Sequence, residues 1–251
     1  MDFELSGRTA LVTGASQGIG RGVARLLALQ GVKVAGVARR VELVEALSAE
    51  VVRDGGHPIV AIGSDLQEDG APERLADEAA RRIGPIDILM NVAGQSRPLP
   101  FDATQAQWEE GMRLNFYTVR QLTHALVPGM RARCWGRVVN FTGTSEPRML
   151  NAAFTAKAAV HVWAKGLSRE VAADGVTVNC LAPGRIRSEQ ISRRYPTPEA
   201  EREYAEAEIP MRRFGEPAEI AAVAAFLASP MASYVTGTVI AVDGGSSRFA
   251  F

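Results

Sequence analysis

After an apolar run at 8–13 (RTALVT), the chain reads Gly14-Ala15-Ser16-Gln17-Gly18-Ile19-Gly20. Glycines at such spacing let the backbone turn tightly and let a pyrophosphate approach it. A helix starting beyond them offers free N–H groups and the positive end of its dipole. A glycine-rich turn with no ligand is the competing reading, because a glycine pattern alone is weak evidence. Its placement, after a strand pattern and before a helical one, favours the phosphate. Arg39 and Arg40 end the next apolar run. Planar guanidinium groups there suit pairing with phosphate or stacking on a base, or else they are solvated side chains.

The elements that must position these groups follow from hydrophobic periodicity. Short apolar runs predict strands over 8–13, 33–38, 57–62, 87–91, 137–141, 176–181 and 239–242. Longer amphipathic stretches predict helices over 18–30, 41–53, 71–83, 104–130, 152–173 and 216–227, the last with Pro217 in its first turn. A polar stretch, 185–213, carries no assigned element. The strands are continuously apolar, as expected when both faces are covered, and their alternation with helices argues for a parallel sheet with right-handed crossovers. A closed eight-fold barrel of similar length competes with an open sheet, and the glycine-rich turn favours the open one.

Composition narrows the function classes. The 251 residues are 47% hydrophobic and 22% charged, which excludes a disordered or collagen-like chain. Lys plus Arg number 28 and Asp plus Glu number 28, so charge gives no reason to expect nucleic acid or an anionic membrane as partner. Cys134 and Cys180 form no disulfide framework and no metal-type spacing; both read as small buried hydrophobes in a reducing compartment. No signal core is seen at the N-terminus, and the most apolar run, 221–228, is too short to cross a bilayer. The expectation is one cytoplasmic domain over 1–251, without bound metal.

The glycine spacing is GxxxGxG rather than GxGxxG, and TGASQGIG resembles the cofactor fingerprint of the classical short-chain dehydrogenase/reductase family. Further motifs fall in the family's order. Asn91-Val92-Ala93-Gly94 is similar to its NNAG turn, and Asn115 stands at its catalytic helix asparagine. Asn179 to Gly184 resembles its N-x-x-x-P-G segment, and Arg213 to Pro217 and Val242 to Gly245 resemble its C-terminal signatures. Within the family it resembles 3-oxoacyl-carrier-protein reductases. The resemblance covers nearly the whole chain. It implies a Rossmann-type, doubly wound α/β fold with a seven-stranded parallel sheet and helices on both faces, and a dinucleotide at the carboxyl ends of the strands. It also implies cofactor contacts from Gly14, Ser16, Gln17, Gly18, Ile19, Gly20, Asp65, Leu66, Asn91, Ala93, Gly94, Lys157, Pro183, Gly184 and Ile186. For Asp65 a turn or cap carboxylate is the alternative.

The end of the second strand selects the dinucleotide. A carboxylate there would bind the ribose of NAD and repel an added phosphate. Arg39 and Arg40 stand there instead, which argues for NADP(H), although Gln17 occupies a position where many NADP-dependent relatives carry a second basic residue.

The family resemblance also implies a tyrosine acid, a lysine four residues later on the same helix face and a serine on the preceding loop. Lys157 matches the lysine, but Ala153 stands at the tyrosine position and Gly143 at the serine position, flanked by Thr142 and Thr144. Asn115 and Lys157 thus remain of the tetrad. Three explanations stand open: carbonyl–alcohol chemistry with a substituted acid, different chemistry on the bound cofactor, or a non-catalytic NADP(H)-binding subunit or sensor. Candidate substitutes are Thr142, Thr144, Ser145, Tyr117, Tyr195, Tyr204, His161, a water held by Lys157, or Lys157 itself. His161 reads foremost as a surface or interface histidine, and Glu146 and Arg148 as a solvated loop pair.

The segment 185–213 corresponds to the family's substrate cover and mixes Arg185, Arg187, Arg193 and Arg194 with Glu199, Glu201, Glu203, Glu206 and Glu208. Its arginines could attract an anionic substrate or cofactor phosphates. The expected partners are a small carbonyl or alcohol substrate and further copies of the chain, as a homotetramer or homodimer; the apolar region 235–242 and the tail 249–251 suit such a contact.

Overall fold

The computed structural model describes residues 2–143 and 146–249. In chain order the elements are β1 (Thr9–Thr13), α1 (Gly18–Leu29), β2 (Lys33–Ala38), α2 (Val41–Arg53), β3 (Val60–Gly63), α3 (Ala71–Ile83), β4 (Ile88–Asn91), α4 (Gln105–Met112), α5 (Thr118–Ala132), β5 (Gly136–Phe141), α6 (Ala152–Val171), β6 (Val176–Pro183), α7 (Glu189–Arg194), α8 (Pro198–Glu208), α9 (Pro217–Ala228) and β7 (Val239–Val242). The seven strands form one sheet in the order β3-β2-β1-β4-β5-β6-β7, with every neighbouring pair parallel. This is the doubly wound arrangement, and the order reverses between β1 and β4.

Strand alternation explains the two layers. Ala10, Val12, Ile88 and Met90 face one core with α1, α2 and α9, whereas Leu11, Leu89 and Val138 face another with α3, α5 and α6. Strands with apolar residues on both faces belong between two helical layers. The rule relaxes at the edges, where β3 and β7 are only partly buried. Among the described residues, no helix is long and apolar enough to cross a membrane.

Three expectations are corrected. The strand predicted over 57–62 begins only at Val60, because the preceding backbone is drawn away: His57 N donates to Ala28 O at 3.1 Å and Ile59 N to Ser48 Oγ at 2.8 Å. The helix predicted over 104–130 is divided by a π-turn, Arg113–Tyr117, between α4 and α5. Cys134 is exposed in the turn after α5, so only Cys180 is a buried hydrophobe. The polar stretch also contains two helices, α7 and α8, capped by the hydroxyls of Ser188 and Thr197.

Candidate active site

The crevice at the reversal of strand order is built from β1 and β4. At the end of β1, Thr13 Oγ1 accepts from Val92 N and Ala93 N, both at 3.0 Å, and donates to Met90 O at 3.3 Å. One hydroxyl thereby fixes the turn after β4 against the glycine loop. In that loop a β-carbon on Gly20 would overlap the carbonyl oxygen of Gly14, so only glycine allows the chain to fold back at this point. The N-cap residue of α1, Gln17, makes no side-chain capping bond, which leaves the first-turn N–H groups for a ligand. The cradle, the free helix start and the adjacent guanidinium groups fit a dinucleotide pyrophosphate.

Arg39 and Arg40 diverge. Arg39 is exposed and lines an open groove with Gly63, Ser64, Asp65 and Glu68. Arg40 turns the other way, and its Nη2 donates to Gln17 Oε1 at 2.6 Å. The second positive charge absent at position 17 is therefore brought there by Arg40, which sequence reasoning did not foresee. Asp65 Oδ1 accepts from Gln67 N at 3.0 Å, the turn role weighed above, while Leu66 is buried. The amide nitrogen of Asn91 is spent inside the protein, on Thr123 Oγ1 at 3.1 Å and Asn140 Oδ1 at 2.9 Å.

Gly94 joins the remaining polar groups. A β-carbon on it would lie 2.9 Å from Asn115 Oδ1 and 3.0 Å from Lys157 Nζ, so the two side chains converge on one backbone position. Asn115 lies in the π-turn, fully buried, where its Nδ2 donates to Gly111 O at 2.9 Å and Gln95 O at 3.2 Å. The extra residue of a π-turn re-aims a side chain in mid-helix. Lys157 Nζ donates to Phe141 O at 2.6 Å, at the carboxyl end of β5. Burial pulls the Lys157 ammonium down to about 8. Burial also pushes the nearby Cys180 thiol up to about 12, so it is neutral and unreactive at ordinary pH.

The candidate acids disperse. Ala153 is buried and its N–H is capped by Asn151 Oδ1 at 2.9 Å. Thr142 Oγ1 donates to Leu181 O at 3.0 Å and meets His161 Nε2 at 2.8 Å. This corrects the surface reading of His161, which is partly buried and holds a partner. Thr144 and Ser145 lie outside the described residues. Tyr117 is 44% exposed, while Tyr195 and Tyr204 pack on Phe214, with ring centroids 5.3 and 5.9 Å away. Arg148 Nη2 reaches Glu208 Oε2 at 2.6 Å, and Glu146 Oε1 accepts from Arg248 N at 2.7 Å.

The covering segment begins where β6 ends. Gly184 N donates to Val242 O at 3.0 Å, and Ile186 bridges to Gly215, which fixes the stretch after Pro183 above the sheet. Much of its charge is neutralised locally: Arg187 pairs with Glu201 and Glu216, and Arg193 lies 3.5 Å from Glu189.

Residues 14–247 match a protein family described as Enoyl-(Acyl carrier protein) reductase. The chain is 37% identical to Nodulation protein G of Rhizobium sp. (strain N33) over 248 residues, 97% of this chain and 98% of that protein. It is 36% identical to the 3-oxoacyl-(acyl-carrier-protein) reductase FabG of Vibrio cholerae over 248 residues, again 97% and 98% of the two. Among solved structures, it resembles the 3-oxoacyl (acyl-carrier-protein) reductase of Agrobacterium tumefaciens C58 with NADP bound, with a TM-score of 0.90 and 33% identity over 96% of this chain and 95% of that one.

Proposed function

The chain belongs to the short-chain dehydrogenase/reductase family, and on that premise we propose that it is an NADP(H)-dependent oxidoreductase interconverting a carbonyl and an alcohol, with Lys157 as proton donor in place of the family's tyrosine. NADP(H) is its cofactor, held by the glycine loop, the start of α1 and the guanidinium groups of Arg39 and Arg40. When bound, the reduced nicotinamide supplies the hydride. The observation that carries the reading is the convergence of Lys157 Nζ and Asn115 Oδ1 on Gly94, with the ammonium drawn down to about 8.

An acid works best when its pKa lies near the operating pH, and an amine near 8 meets that condition where an ordinary lysine does not. In the reductive direction Lys157 Nζ gives a proton to the carbonyl oxygen, directly or through a water it holds, and recovers it from solvent. In the oxidative direction the neutral amine accepts the alcohol proton. Phe141 O holds Nζ in place, and Asn115 braces the turn at 94–95. Loss of the standard acid typically costs ~10²–10⁴-fold in rate. Orientation by the bound cofactor survives that loss. Thr142 and Thr144 stay as alternative donors, the former weakened by its bonds to Leu181 and His161. The substrate is a small carbonyl or alcohol compound, and the assembly a homotetramer or homodimer.

One observation favours a second reading, a non-catalytic NADP(H)-binding subunit or sensor. The wall at Ala153 is apolar, since Ala152, Ala153 and Ala156 are all buried there.

NADPH oxidation against a broad panel of ketones and aldehydes, with Lys157→Ala beside the native protein, separates the two. Turnover lost in the variant supports the enzyme. Confirmed NADPH binding with no turnover across the panel supports the binder.

A further inference from the structure

The covering segment touches the cofactor corner at two places. A β-carbon on Gly18 would come within 2.9 Å of Ser188 Cβ, so the residue just before α7 rests on the glycine loop. Next to it, Glu189 reaches Arg40: Nη2 lies 3.2 Å from Oε2 and 3.4 Å from Oε1, while the same nitrogen holds Gln17 Oε1 at 2.6 Å. The other cation facing Glu189 is Arg193, at 3.5 Å on its own helix. Arg39 makes no ion pair among the described residues. A carboxylate from a segment 149 residues away thus occupies one of the two guanidinium groups assigned above to the cofactor phosphate.

We propose that Glu189 competes with the 2′-phosphate of the dinucleotide for Arg40, limiting the preference for NADP(H) over NAD(H) and making the hold on α7 depend on which cofactor is bound. The inference rests on the NADP(H) reading. A phosphate drawn to Arg40 would meet the Glu189 carboxylate and a guanidinium whose outer nitrogen is already engaged. A phosphate monoester carries close to two negative charges against one on the carboxylate, so it takes Arg40 and Glu189 is released. NAD(H) carries only a hydroxyl at that position and leaves the Arg40–Glu189 pair in place. The pair is exposed, so the effect is modest, about two- to fivefold in affinity, and salt weakens it.

The test is fluorescence titration of NADPH and NADH on native protein, Glu189→Gln and Arg40→Ala, at low and high salt, with amide hydrogen exchange over α7. Glu189→Gln is expected to bind NADPH about two- to fivefold more tightly with NADH unchanged, the gain shrinking at high salt. In native protein α7 should exchange faster with NADPH bound than with NADH bound, and Glu189→Gln should erase the difference. No change, an equal change for both cofactors, or weaker NADPH binding overturns the proposal; the last would mean that Glu189 holds Arg40 in place for the phosphate. If native protein prefers NADH, or Arg40→Ala leaves NADPH binding intact, the phosphate reading falls as well. These two failures are told apart by the native protein and Arg40→Ala alone.

Discussion

His161 Nε2 lies 2.8 Å from Thr142 Oγ1, one helical turn beyond Lys157. Thr142 Oγ1 donates to Leu181 O at 3.0 Å, which leaves it as an acceptor for an imidazole N–H. Burial, and then the Lys157 charge, hold the His161 pKa below the usual 6.5 and favour its neutral form. The pair joins α6 to the end of β5, the two elements that hold Lys157 on Phe141. It gives Thr142 a supporting role and weakens it as an alternative proton donor.

Thr142→Val leaves the partly buried imidazole without this partner, while Leu181 O keeps its bond from the backbone N–H of residue 142. Leaving a buried polar group unpaired costs about 1–3 kcal/mol, and a shift of the urea midpoint of that size is expected. The native protein should also lose stability as pH falls below 6.5, because the unfolded chain then binds a proton that the buried His161 resists. Thr142→Val with an unchanged midpoint would refute the bond's contribution.

Lys157 makes the opposite demand on pH. A reduction that draws its proton from Nζ slows as pH rises through about 8, and the oxidative direction quickens over the same range. Rates measured against pH in both directions check this, and parallel profiles would rule out Lys157 as the titrating donor. A stability consequence has its own sign: below pH 8 the protein carries the cost of a buried ammonium, and the cost fades between 8 and 10.5 as the amine loses its proton in the folded state first. Lys157→Met is thus expected to abolish turnover while raising stability at neutral pH by about 1–2 kcal/mol, after allowing for the bond lost at Phe141 O. Denaturant titration of the variant reads that gain.

Much of this arrangement was legible in the residues, for stated reasons. Strand β2, helices α2 and α3, and strand β7 have the predicted limits because their apolar spacing is unbroken and a glycine or polar residue stands at or beside each limit. The glycine loop was legible because only glycine tolerates the overlap at Gly20. The capping residues Ser188 and Thr197, the latter followed by Pro198, were available as signals for α7 and α8 and went unread. The π-turn at Asn115 was not legible, because a one-residue phase shift inside a long amphipathic run leaves helical patterns on both sides and marks no boundary. Nor were Arg40 with Glu189 or Thr142 with His161, which depend on side-chain directions set by the packed sheet.

The phosphate reading makes a cofactor prediction at Arg39. Replacing Arg39 with aspartate removes a cation from the groove lined by Ser64 and Asp65 and restores the carboxylate that suits an adenosine ribose. Affinity for NADPH should fall by about tenfold or more, the worth of a charge-assisted bond, while NADH binding is retained or improved. Titration of both cofactors checks it; an equal loss for the two would show that Arg39 serves stacking or local structure instead of the phosphate.

Ala153 is the second residue of α6, four residues before Lys157, so a tyrosine there would share Lys157's face of the helix. The position is only 4% exposed, and a larger side chain must find its room toward the crevice, because Ala152 is already in close contact with Gly111 on α4. If only the acid is missing, Ala153→Tyr should raise turnover of any active carbonyl by ~10²–10⁴-fold, and the pH at which reduction fails should move from that of Lys157 to that of a phenol held beside an ammonium. Circular dichroism and NADPH titration establish that the variant is folded and loaded. A folded, loaded variant with no gain would mean that the crevice no longer presents a carbonyl to the nicotinamide, and the binding reading would then carry the weight.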